Sequence, residues 1–206
     1  YPNFELRNVG ANWEIWTGVG TATRSQFPAI ETIPREHRPT ENMCSISFRL
    51  SYGKFDYFCG GDTPGVPAPG FPAWQDVETP VAKAVGPVKA AILNHHGYID
   101  TQNEFFVATL RPLVWTGSVW DSGQPSAPGW GRLCSRHLYP GPRDIFATDL
   151  HPATRQVISG IDRLTSKAGH IVLRVAPGGD SFRVVIVDDR SESHRVTHVF
   201  GPYVSR

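Results

Sequence analysis

Two short apolar runs in this 206-residue chain break off abruptly at polar turns. Phe55-Asp56-Tyr57-Phe58-Cys59 stops at Gly60-Gly61-Asp62, and Val88-Lys89-Ala90-Ala91-Ile92-Leu93 stops at Asn94-His95-His96-Gly97. Runs of this length, bounded by turn chemistry, predict buried strands rather than helices. Polar residues gathered where buried strands end point to a layered α/β fold, because the loops leaving such a sheet converge on one edge.

The remaining pattern fits that class. Ser45 to Leu50 alternates with period two, Tyr52-Gly53-Lys54 supplies a turn, and Phe55 begins the partner strand, which makes a hairpin. Val77, Val81, Ala84 and Val85 form a helical stripe closed by Gly86-Pro87. Residues 104–110 read as a second helix, closed by Arg111-Pro112. Residues 113–116 and 144–148 read as further strands, and residues 155–164 as a helix weakened by Gly160. A hairpin over 169–175 and 181–188 follows, around Ala176-Pro177-Gly178-Gly179-Asp180. The expected core therefore runs over residues 43–190. Residues 1–42 read as an irregular lead-in in which Phe4-Glu5-Leu6 and Trp13-Glu14-Ile15-Trp16 alternate as short strands do. Residues 120–131 read as a loop, and 191–206 as a loosely packed tail.

Composition narrows the function classes. Twenty Lys+Arg face 19 Asp+Glu, so bulk charge carries neither a basic nucleic-acid tail nor an acidic one. Hydrophobic residues make up 40% and charged residues 19%, enough apolar material for one buried core and too little charge for wholesale disorder. Glycine (20) and proline (18) favour many turns and long connections over a helical bundle. No apolar stretch is long enough for a membrane span. Cys44, Cys59 and Cys134 are odd in number and widely spaced, which argues against a disulfide framework and slightly favours a reducing, cytoplasmic compartment. With no initiator Met and no basic-then-apolar leader at Tyr1-Pro2-Asn3-Phe4, the chain reads as starting within a longer gene product.

Asp62 and the pair His95 and His96 are the candidate site. A carboxylate and imidazoles together suit zinc, manganese or iron. The bland alternatives are a turn-capping aspartate and two histidines that a strand would aim at opposite faces. Lesser candidates are His151 with Asp149, and Ser118, Asp121 and Ser122 at a strand end. Asp188-Asp189 reads as a solvated turn and Trp115, Trp120 and Trp130 as core or loop anchors. Arg132, Arg136 and Arg143 could make a basic surface that meets phosphate.

Three segments carry a resemblance: residues 41–53, reading ENMCSISFRLSYG; FDYFCGGD; and VKAAILNHHG. Together they resemble the metallo-β-lactamase-fold hydrolases, and within them the branch related to the hydrolase domain of ComEC, the DNA-uptake protein. RDIFATDLHPATR and GHIVLRVAPGGDSFRVVIVDD resemble that branch's closing strand, Thr-Asp turn and terminal hairpin, so the similarity spans roughly residues 40 to 190. The resemblance implies a four-layer αββα sandwich with a metal centre at one edge. Asp62, His95 and His96 would be metal residues, with Asp62 and His96 also catalytic. His95, continuing its strand, is the better guess for direct contact.

The family's main ligand string, His-x-His-x-Asp-His, occurs nowhere in the chain. The resemblance therefore implies the C-terminal portion of such a hydrolase, completed elsewhere, with one or two zinc or manganese ions. Metal-activated water would attack a phosphodiester, an ester or another small-molecule substrate. Half a sandwich exposes the sheet face that meets its twin, so the expected partner is the missing N-terminal half or a second copy of the chain. The alternative is a metal-free binding or scaffold domain that retains the fold.

Overall fold

A computed structural model of the chain describes residues 2–205. Eight strands form one mixed sheet: β1 (Phe4–Ala11), β2 (Glu14–Trp16), β3 (Thr23–Ser25), β4 (Ser47–Tyr52), β5 (Phe55–Cys59), β6 (Ala90–Ile92), β7 (Val114–Gly117) and β8 (Asp144–Ala147). Their order across the sheet is β3-β2-β1-β4-β5-β6-β7-β8. The neighbours from β3 to β5 are antiparallel and those from β5 to β8 parallel. Parallel neighbours need crossovers, and three helices supply them: α1 (Glu78–Val85), α2 (Glu104–Leu110) and α3 (Ala127–Cys134). A short α4 (Pro152–Val157) follows β8. A second sheet holds β9 (His170–Val175), β10 (Ser181–Val187) and β11 (Val196–Val204), in the order β11-β10-β9.

Period-two alternation splits the core in two. Phe58, Ala91, Trp115 and Ile145 point to the helix side, where Val81, Val85, Phe106, Leu110 and Leu133 meet them. Phe55, Ala90, Val114 and Phe146 point the other way, against Phe182, Val184 and Ile186 of the second sheet. Phe182 sits at the centre of that interface, its ring 5.0 Å from Phe55 and 5.1 Å from Tyr203. The β4–β5 and β9–β10 turns close against each other: a Cβ on Gly53 would collide with the Gly178 carbonyl, and one on Gly179 with the Tyr52 carbonyl. Both glycines also have positive φ, so no other residue fits this contact without strain.

Several expectations need correction. The lead-in over residues 1–42 contributes β1, β2 and β3 to the large sheet, because β1 pairs with β4 from Phe4↔Tyr52 onward. The loop expected at 120–131 contains the start of α3, which Ser126 caps by accepting from Gly129 N. Gly129 and Gly131 had hidden that helix. The helix expected at 155–164 ends at Val157, and Gly160 at φ 72° starts a separate 3-10 turn. The tail is not loose: β11 pairs along β10 from Ser181↔Val204 to Val187↔Val196. The expected bare sheet face is largely covered by the chain's own second sheet. At β1 it stays open, where Phe4 is 51% and Leu6 59% exposed. Cys44, Cys59 and Cys134 are free thiols, each half-buried. Among the described residues no helix is long and apolar enough to cross a membrane.

Because Phe182 joins the two sheets, Phe182→Ala is expected to remove about 3–5 kcal/mol of stability. Denaturant unfolding monitored by circular dichroism measures it.

Candidate functional site

Asp62 and the histidine pair come together where the parallel strands end. After β5, Gly60 and Gly61 turn the chain, and a Cβ at Gly60 would strike the Asn94 side chain. The turn after β6 is left-handed, with φ of 44° at His95 and 58° at His96. That geometry removes the objection drawn from strand alternation, since neither histidine lies in a strand. The two turns are tied directly, His95 N donating to Gly61 O at 3.0 Å, while Asp62 N donates to Ser45 Oγ at 3.1 Å.

The two imidazoles are held differently. His96 Nδ1 lies 2.7 Å from the Ser118 carbonyl, an acceptor only, so Nδ1 carries the proton and donates. In the neutral ring Nε2 is then a bare lone pair, and it stands 3.7 Å from Asp62 Oδ1. Both side chains are partly open, His96 at 33% and Asp62 at 40% exposure. His95 has both nitrogens engaged: Nδ1 at 3.0 Å from Asp100 Oδ1, and Nε2 at 3.4 Å from Asn42 Nδ2. Tyr98 packs on the His95 ring at a centroid distance of 5.2 Å. The geometry therefore brings His96, rather than the strand-continuing His95, to Asp62 as the imidazole with a free nitrogen. Among the described residues no group of three or more His, Cys, Asp or Glu side chains is placed to hold a metal ion.

Behind the turns lies a buried polar network that the sequence did not reveal. Glu78, at the start of α1, is fully buried. Its Oε1 accepts from Asn94 Nδ2 and from Gln102 N, both at 2.8 Å, and Oε2 accepts from Asn103 N at 2.7 Å. Burial pushes its carboxyl up to about 8, against the pull of these three hydrogen bonds. Asn103 in turn caps α2 through Phe106 N and donates to Asp76 Oδ1. One carboxyl thus fixes α1, the histidine turn and the start of α2 together. An acidic residue in the first turn of a helix ordinarily signals a solvated dipole partner, so nothing local marked Glu78 as buried.

The lesser candidates divide. Ser118 matters through its carbonyl, not its hydroxyl. Asp121 accepts from Gly123 N within its own turn, and Ser122 O accepts from Thr154 Oγ1. His151, and not Asp149, caps α4, accepting from Ala153 N at 3.2 Å. Trp115 and Trp130 are buried, whereas Trp120 is 69% exposed. Arg132 is spent inside the fold, donating to the carbonyls of Gln102 and Thr101.

Comparison with protein-family models and with curated proteins gives no match for this chain.

The Glu78 carboxyl has a sign-definite consequence for stability. Its value is raised from an ordinary 4.5 to about 8, so between those limits the folded state holds a proton that the unfolded chain releases. The stabilisation is complete below the lower value and is lost as pH rises through the upper one. Glu78→Gln is expected to flatten the fall in stability from about pH 5 to 8, by up to about 1.4 kcal/mol per pH unit. Urea unfolding at a series of pH values measures the slope.

Proposed function

We propose that Asp62 and His96 are two holders of a catalytic metal ion in a hydrolase of the metallo-β-lactamase type, of which this chain forms the C-terminal portion of an αββα sandwich. The supporting observation is the His96 ring, pinned by Ser118 so that its bare Nε2 faces the Asp62 carboxylate. A metal-ligating histidine commonly donates its other N–H to a carbonyl or carboxylate in this way. At 3.7 Å the two atoms are too far apart for a hydrogen bond but close enough to share one ion. Carboxylate oxygen and imidazole nitrogen are a donor pair suited to zinc or manganese. As a bare ion pair, so exposed a contact would contribute little to stability.

A catalytic zinc takes three protein ligands and keeps one position for water. This chain supplies two, and the others would come from the N-terminal half of the fold or from a second copy. The half-exposed Phe4 and Leu6 on β1 leave sheet surface for such a partner. An ion held by these ligands would lower the pKa of a bound water to about 7 and so would supply hydroxide at neutral pH. Asp62 and His96 are the residues of this chain that would hold it, at the ends of β5 and β6. His95, locked between Asp100 and Asn42, keeps the turn in its left-handed form and presents His96 outward. The preferred reaction is phosphodiester hydrolysis, a preference that rests on the resemblance of the FDYFCGGD and VKAAILNHHG segments.

Metal content and phosphodiesterase activity of the full-length protein test the reading. Asp62→Ala and His96→Ala are expected to lower bound metal at least tenfold and to abolish activity. His95→Gln is expected to retain metal within a few-fold, since neither His95 nitrogen is free. A full-length protein that stays metal-free with zinc and manganese supplied would make the chain a binding or scaffold domain instead.

A further inference from the structure

The other end of the parallel strands carries a second cluster of charge. A cleft of about 510 Å³ opens beside the beginnings of β7 and β8, lined by Leu113 and Asp144, whereas Asp62 and His96 lie beyond the ends of β5 and β6. Its volume is within the range of small-molecule sites. Arg136, Arg143 and Arg163 all line it. Among the described residues none of the three forms an ion pair with a carboxylate. The one carboxylate in the lining, Asp144, is already engaged: it accepts from Tyr203 Oη at 2.6 Å and from Thr165 Oγ1 at 3.2 Å. Three guanidinium charges therefore face a single occupied acid.

The donors around this cleft are also short of acceptors. Arg143 is anchored through Nη2, which donates to the carbonyls of Ser135 and Tyr139, but its buried Nη1 has no partner among the described residues. Trp130 lines the same cleft, and its buried indole N–H has no partner among the described residues either. A buried donor left unsatisfied costs about 1–3 kcal/mol, so two on residues lining one cleft favour an acceptor from outside the chain. Arg163 lies over the Trp130 ring at 5.7 Å, which steadies an otherwise exposed guanidinium.

We propose that this cleft is a binding site for a phosphate group, carried by a small phosphorylated molecule or by a nucleic-acid strand. Three guanidiniums against one engaged carboxylate leave an excess of about two positive charges, which matches a phosphate dianion. The fork of N–H donors on arginine fits phosphate oxygens two at a time, which a single ammonium does not. The site is independent of the proposed metal centre and stands whether or not that centre is catalytic.

Calorimetric titration of the protein with pyrophosphate, in the presence of a chelator, tests the proposal. Pyrophosphate is expected to bind, and the double variant Arg136→Ala/Arg163→Ala to weaken it at least tenfold. Both arginines are exposed, and an unchanged circular dichroism melt establishes that the variant folds. Asp62→Ala, at the opposite end of the strands, is expected to leave the affinity unchanged. Competition by a nucleoside diphosphate but not by a single-stranded oligonucleotide identifies a small phosphorylated ligand, and the reverse identifies a strand backbone. No pyrophosphate binding at millimolar concentration overturns the proposal. So does equal binding by the double variant, or loss of binding in Asp62→Ala.

Discussion

A buried carboxyl with no cationic partner among the described residues holds the candidate site together. Glu78 gathers donors from the asparagine of the histidine turn and from two backbone amides that precede α2. Placing an acid in the interior is unfavourable unless it is neutral or well hydrogen-bonded, and here burial and the three donors pull in opposite directions. The result is a joint between three segments that are far apart in the chain. Together with His95 N donating to Gly61 O and the contacts on the two imidazoles, it sustains the left-handed conformation at His95 and His96, which non-glycine residues adopt at a cost. The glycine at position 60 belongs to the same joint, leaving the space that the Asn94 side chain occupies.

From that joint the arrangement of the two imidazoles follows. One is built into the protein, with Asp100 and Asn42 on its two nitrogens, and the other is held at a single nitrogen and leaves the second toward Asp62. A histidine satisfied on both sides is a structural element. A histidine satisfied on one side and facing a carboxylate is equipped to ligate. The distinction lies in the hydrogen-bond partners and cannot be drawn from adjacency in the sequence.

The parallel arrangement of β5 to β8 also separates two electrostatically different ends. Asp62, His95, His96 and Asp100 lie where these strands finish, and Arg136, Arg143 and Arg163 surround the cleft where β7 and β8 begin. A net charge of only +1 over the whole chain conceals this polarity. Bulk charge reports a sum, whereas recognition depends on where charges are left uncompensated.

The sequence by itself determined the alternating hairpins β4–β5 and β9–β10, the short buried runs of β6 to β8 and the boundaries of α2, because strand periodicity and turn chemistry are local properties. It also singled out Asp62, His95 and His96 as the candidate site, and the structure brings Asp62 and His96 to 3.7 Å. Tertiary structure alone decided which imidazole faces Asp62, since that depends on Ser118, Asp100 and Asn42 reaching across from other segments. It likewise decided that β11 is a strand, a weakly patterned edge segment paired along β10, and that β1 runs on to Ala11 as an interior strand between β2 and β4. The burial of Glu78 and the convergence of three arginines on one cleft were decided in the same way. Both arise from packing between distant elements, and no short window of sequence contains that information.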